Sequence, residues 1–120
     1  GQEAILPVPD TVRHWHASPR SAAGFLAHAA TLDTARLEGR RALNMPGVSC
    51  TVAEQIEALR EAAGEDAVRL IRPKPDETIM RIVAGWPRNF APDRAIGLGF
   101  RAESSFREIV EVYMTEDMPR

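Results

Sequence analysis

Two histidines, His14 and His16, flank Trp15, and Arg20 follows four residues after His16. If residues 11–17 form a strand, His14 and His16 project from one face and Arg13 and Trp15 from the other. A same-face histidine pair can ligate a metal, but a tetrahedral site needs further ligands. His28 falls in a helical stretch and no cysteine or carboxylate cluster accompanies the pair, so no metal site is assigned. The pattern suits one polar wall of a ligand cleft. Arg20 would stand on the first turn of the next helix with a guanidinium shaped for a carboxylate. Surface histidines around a partly buried indole fit the same residues. Trp86 and Arg88, around Pro87 at a helix end, are further candidates for the wall, although a tryptophan also serves as core or interface filler.

Other reactive types lack partners. Cys50 precedes a helix start, where a thiolate is favoured, but a lone cysteine with no histidine nearby reads as a core residue. Tyr113 is the only tyrosine and Asp117, not lysine, stands four residues on, so there is no Tyr-x-x-x-Lys pair. There is no phosphate-binding Gly-x-x-x-x-Gly-Lys loop. The turn at residues 45–51 has one glycine where a dinucleotide fingerprint needs about three. No catalytic and no cofactor-binding residue is therefore assigned.

Local signals place these residues on elements. Residues 4–8 read as a short strand or an extended lead-in, with Pro7 and Pro9 confining any strand to an edge or an end. Ser18-Pro19 starts a helix running to about residue 33, serine capping and proline losing only an amide that would go unpaired. Its apolar face is Ala22, Phe25, Leu26, Ala29 and Leu32. Residues 41–45 read as a strand. Thr51 and Glu54 then form a capping box opening a helix with Val52, Ile56, Leu59 and Ala63 inward, stopped by Gly64. Residues 67–71 read as the next strand. Strand, helix, strand at this spacing predicts a right-handed parallel crossover. Asp76 caps a helix ending near Gly85, Pro92 opens a short one, and a last helix from residue 106 to about 115 turns Phe106, Ile109, Val110 and Tyr113 inward. The fold class expected is α/β: a small mixed or parallel sheet with a βαβ crossover and four to five helices.

The totals exclude several classes. A chain of 120 residues with 44% hydrophobic residues has room for one domain and one core. Fifteen basic against 17 acidic residues, net −2, gives no support for nucleic acid or an anionic membrane as partner. One cysteine excludes an internal disulfide and fits a reducing, cytoplasmic setting. No run approaches the ~20 apolar residues of a membrane span. The first residues lack the basic leader of a signal peptide, and the absence of an initial methionine fits an excised or processed piece.

Longer strings carry a resemblance. Arg13-His14-Trp15-His16-Ala17-Ser18-Pro19-Arg20 leads a strand into a helix, and Ala42-Leu43-Asn44-Met45-Pro46-Gly47 precedes the capped helix at Thr51. Gly85-Trp86-Pro87-Arg88 and Leu98-Gly99-Phe100-Arg101-Ala102 then precede the terminal helix closing on Tyr113. In this order they resemble the C-terminal segment of the extended short-chain dehydrogenase/reductases, the NAD-dependent epimerase/dehydratase family, and within it the D-erythronate dehydrogenase-like proteins. The resemblance spans essentially the whole chain.

It implies that residues 1–120 are a single truncated substrate-binding domain, without the nucleotide-binding domain. The parent would use NAD to oxidise the C2 hydroxyl of a sugar acid, a tyrosinate removing the proton while hydride passes to the nicotinamide. The chain alone would bind no NAD and be inactive. Its share of the cleft would be His14, His16 and Arg20, with Trp86 and Arg88 behind them. A truncated domain should also expose an apolar patch at Ala22, Phe25 and Ala29, or bury it in a homo-oligomer. Two other readings predict different things. A stand-alone α/β binding module would have no activity, and a small metal enzyme would use His14 and His16.

Overall fold

The computed structural model describes residues 1–119. Its elements are β1 (Ala4–Leu6), β2 (Arg13–His16), α1 (Pro19–Thr31), β3 (Val48–Thr51), α2 (Val52–Ala63) and α3 (Glu65–Val68). There follow β4 (Ile71–Pro73), α4 (Glu77–Val83), α5 (Asp93–Gly97) and α6 (Phe106–Val112). The class is mixed α/β, as expected, with two two-stranded sheets: β1 pairs parallel with β4, and β2 pairs antiparallel with β3.

The crossover differs from the expected one. Residues 41–45 form no strand; the strand starts seven residues later at β3. In place of an extended segment over 67–71, residues 65–68 are a helical turn and β4 starts only at Ile71. Strands β3 and β4 flank α2 but belong to different sheets. The parallel pair is instead β1 and β4, closed at its ends by Ala4 N–H to Leu70 O and Lys74 N–H to Leu6 O, both 2.9 Å. Gly47 explains why the antiparallel partner starts where it does. A Cβ there would sit 2.6 Å from the His16 carbonyl oxygen and 2.7 Å from Trp15 Nε1. Only glycine lets the chain pass so close to β2 before pairing with it.

Helix starts follow local chemistry. Ser18 accepts from the Ser21 amide, Thr51 and Glu54 form the full capping box, Asp76 accepts from the Thr78 and Ile79 amides, and Ser105 accepts from that of Glu108. Helix α2 packs on α6. Val112 is the buried residue of α6, while Tyr113, expected inward, is 52% exposed. The core is Leu37, Ala95, Leu98 and Phe100, joined by Phe25, Leu32, Leu43 and Met45. Helix α1 contributes Phe25 and His28, with Leu32 just past its end, and has no buried residue. Leu26, placed inward by periodicity, is 76% exposed.

The body is broad and thin, 50 × 35 × 19 Å, with a radius of gyration of 16.6 Å where about 13.6 Å is expected at this length. Its accessible surface is 8225 Å², against roughly 6,400 Å² for a compact monomer of this mass.

Candidate functional site

The antiparallel register sets Arg13 opposite Thr51, His14 opposite Cys50, Trp15 opposite Ser49 and His16 opposite Val48. A cleft of about 450 Å³ opens where β2 meets α4 and the chain beyond it. It is lined by Thr11, Val12, Arg13, His14, Met80, Val83, Ala84, Arg88 and Pro9. Two guanidiniums, an imidazole and a hydroxyl therefore face an apolar wall of Val12, Met80 and Val83. Such a mixture grips a small polar molecule bearing a carboxylate.

His14 Nε2 lies 3.2 Å from the Val83 carbonyl oxygen, which can only accept, so this nitrogen carries the proton. The ring leans on Trp86, centroids 5.3 Å apart. This contact brings Trp86, 55% exposed, to the cleft rim. His16 faces elsewhere: its Nε2 is 3.0 Å from the Gln55 amide nitrogen, which donates to it, and its ring meets Phe106 edge-on at 5.3 Å. Burial holds its pKa below the ordinary value, with the nearby His14 adding to the shift. His16 is thus a neutral, half-buried packing residue. The two imidazoles are 6.4 Å apart, and among the described residues no three His, Cys, Asp or Glu side chains converge as for a metal.

Arg20 is not brought to the cleft. It is exposed and pairs with Glu116 at 2.9 Å. Arg13, which alternation assigned to the opposite face from the histidines, instead lines it. Arg13 Nη1 donates to Ser49 O at 3.0 Å, and Nη2 lies 3.4 Å from Glu54 Oε1. Ser49 Oγ donates to the Arg88 carbonyl oxygen at 2.7 Å. Ser49 thereby ties the loop carrying Arg88 to the strand beside Arg13. Neither role has a sequence signature, because a long side chain that bends around a strand edge escapes period-2 reasoning. Arg88 has no ion-pair partner among the described residues and is the cation left free for a ligand.

A second polar cluster sits at the start of α1. Glu103, 8% exposed, accepts from the Ser18 amide at 3.2 Å, from the Ser18 hydroxyl, and from the Ser21 hydroxyl at 2.8 Å. Burial pushes its pKa up, but these hydrogen bonds outweigh it and hold the carboxyl below its usual range. Cys50 is buried, and burial first, then Glu54, pushes its thiol up, consistent with a core residue.

The strand-to-helix turn into α2 does not fit a dinucleotide diphosphate. Glu54 Oε2 accepts from the Thr51 amide at 2.8 Å, and Thr51 Oγ1 accepts from the Glu54 amide at 3.2 Å. The helix mouth already holds its own carboxylate, so its amides are engaged and its charge repels an anion.

No family model matches the chain. It is 32% identical over 118 residues to a D-erythronate dehydrogenase of Haemophilus influenzae and 36% identical over 116 residues to one of Cupriavidus necator. A solved structure described as a nucleoside-diphosphate-sugar epimerase from Agrobacterium tumefaciens is 59% identical over 98% of the chain, with a TM-score of 0.95. Over nearly all its length the chain resembles a segment of the extended short-chain dehydrogenase/reductases. It spans 38% and 36% of the two curated relatives and 34% of the epimerase structure. An L-threonine dehydrogenase from Cupriavidus necator, 22% identical with a TM-score of 0.76, shares the fold over 94% of the chain. Members of the family that resemble this chain are therefore dehydrogenases and an epimerase. No helix among the described residues is long and apolar enough to cross a membrane.

Proposed function

We propose that this chain is the substrate-binding part of a longer NAD-dependent dehydrogenase that oxidises the C2 hydroxyl of a sugar acid, and that it is catalytically incomplete by itself. The observation that carries the reading is the cleft holding Arg13, His14 and Arg88 beside an apolar wall, in a chain akin to D-erythronate dehydrogenases. Arg88 takes the carboxylate, Arg13 adds positive potential while its fork is held by Ser49 and Glu54, and Thr11 bonds a hydroxyl. His14, its Nε2 proton committed to Val83, orients Trp86 over the rim. NAD, when bound, supplies the hydride acceptor. The residues of this chain do not fit it, so it is held by another part of the longer protein. That setting is cytoplasmic and involves neither nucleic acid nor membrane.

The surface supports the incomplete domain. The chain exposes about 1,800 Å² more than a compact monomer of its mass, about twice the ~800 Å² that one partner buries in a standard interface. Apolar side chains of α1 and α4, Leu26 at 76% and Ile82 at 56%, contribute to it. In the longer protein this surface packs against the nucleotide domain; in isolation it favours self-association.

The test is a titration of the isotope-labelled chain with D-erythronate, read by amide chemical shifts, alongside NAD. Saturable shifts at residues 11–14 and 83–88, abolished in Arg88→Ala, are expected, with none from NAD. A dehydrogenase-inert parent with no response to D-erythronate, or tight NAD binding by this chain, refutes the reading. The epimerase neighbour gives the alternative substrate, a nucleoside diphosphate sugar, which a third arm of the titration with that ligand discriminates.

A further inference from the structure

We propose that the groove between the loop at residues 37–44 and α5 binds the phosphate group of a small molecule, at a site separate from the Arg13–Arg88 cleft. After Leu37 the backbone turns through two consecutive left-handed residues, Glu38 at φ 51° and Gly39 at φ 78°, and the Arg40 amide donates to Leu37 O at 2.9 Å. This turn delivers Arg40 and Arg41 side by side to the rim. Arg94, reaching back from α5, donates to Leu37 O at 2.5 Å, Arg40 O at 2.9 Å and Ala42 O at 3.4 Å. These acceptors are neutral carbonyls. They lock the loop and fix the guanidinium without cancelling its charge.

The space enclosed is about 450 Å³, with Arg40, Arg41, Asn44 and Arg94 as its polar lining and Leu43 and Pro92 on its apolar side. No acidic side chain lines it, and among the described residues none of the three arginines has an ion-pair partner. The chain as a whole is slightly acidic, net −2, so this concentration of uncompensated positive charge is local. A single carboxylate neutralises one of three cations. A phosphate ester carries close to two negative charges at neutral pH and three oxygens suited to guanidinium forks. The groove is larger than one phosphate needs and matches the size of small-ligand sites, so the phosphate arrives on a carrier that rests against Leu43 and Pro92.

The experiment is an amide-shift titration of the 120-residue chain with inorganic phosphate and, in a parallel arm, with a nucleoside diphosphate. Saturable shifts confined to residues 38–44 and 91–95 are expected. The double variant Arg40→Ala/Arg41→Ala, both exposed side chains, should weaken them by about ten-fold or more with the rest of the spectrum unchanged. Arg88→Ala should leave them intact, which keeps this result independent of the cleft. Tighter binding of the nucleotide identifies a carried phosphate, and equal binding identifies free phosphate; either sustains the site. Absent or unsaturable shifts, or shifts unaltered in the double variant, overturn it.

Discussion

Replacing Glu103 should cost far more stability than an ordinary surface substitution. Its carboxylate is the acceptor for the Ser18 amide, the Ser18 hydroxyl and the Ser21 hydroxyl, and so joins the chain after α5 to the start of α1. Ser18 is 1% exposed, so in the native fold its amide has this carboxylate and no solvent as partner. In Glu103→Ala the buried Ser18 amide is orphaned, at a cost of about 1–3 kcal/mol, and two charge-assisted bonds vanish with it. A loss of about 3 kcal/mol is expected, a large share of the stability of a small domain. Glu103→Gln keeps the shape and one acceptor, and should lose about half as much. Equilibrium urea unfolding at neutral pH measures both. The pH dependence checks the charge. The folded-state pKa of Glu103 is depressed, so its contribution is present above the unfolded value of about 4.3 and is lost as pH falls through the folded value. The difference between wild type and Glu103→Gln should therefore shrink in that acidic window. If Glu103→Ala unfolds within about 0.5 kcal/mol of wild type, as an ordinary surface substitution does, the clamp contributes nothing and the reasoning fails.

Other outcomes test other parts of the structure. Gly47→Ala should destabilise by about 1–3 kcal/mol, because its Cβ would meet backbone and the Trp15 ring at under 3 Å; an unchanged urea midpoint refutes that close approach. Leu26→Ser should leave stability within about 0.5 kcal/mol, since the side chain is 76% exposed, while lowering any self-association seen by sedimentation; a large stability loss would place Leu26 in a core. The imidazole of His16 should titrate by NMR with a midpoint below 6.5, chiefly from burial and secondarily from His14. A depressed folded pKa means that its contribution is full above pH 6.5 and is lost as pH falls through the folded value; a midpoint at or above 6.5 contradicts its packing against Phe106 and Gln55.

Much of the local architecture was legible because it is written within four residues. The caps at Ser18, Thr51, Asp76 and Ser105 satisfy amides two or three positions away, and their side chains identify them without reference to the rest of the fold. The antiparallel partner of β2 was not legible. Residues 41–45 have the composition of a strand, yet the pairing begins at Val48, because that is where Gly47 admits the chain against Trp15 and His16. The face of α1 misled for a related reason. Its periodicity marks an apolar stripe, but periodicity does not say whether a neighbour exists to cover it, and Leu26 and Ala29 lie in solvent here.

The cleft divides along the same line. Residue type and position single out His14, Trp86 and Arg88, and the fold brings them to one rim. The same signals single out His16 and Arg20, and the fold gives them to Gln55 and Glu116 instead. Arg13 and Ser49 join the site through contacts 36 and 39 residues apart in sequence. By itself the sequence determined the capped helix starts and the residue types available for an anionic substrate, since these depend on short spacings, while its longer strings carried the resemblance to the dehydrogenases. Which of those side chains meet was decided by strand pairing and by loops stapled over long separations, where the contact free energy comes from residues that no local window contains.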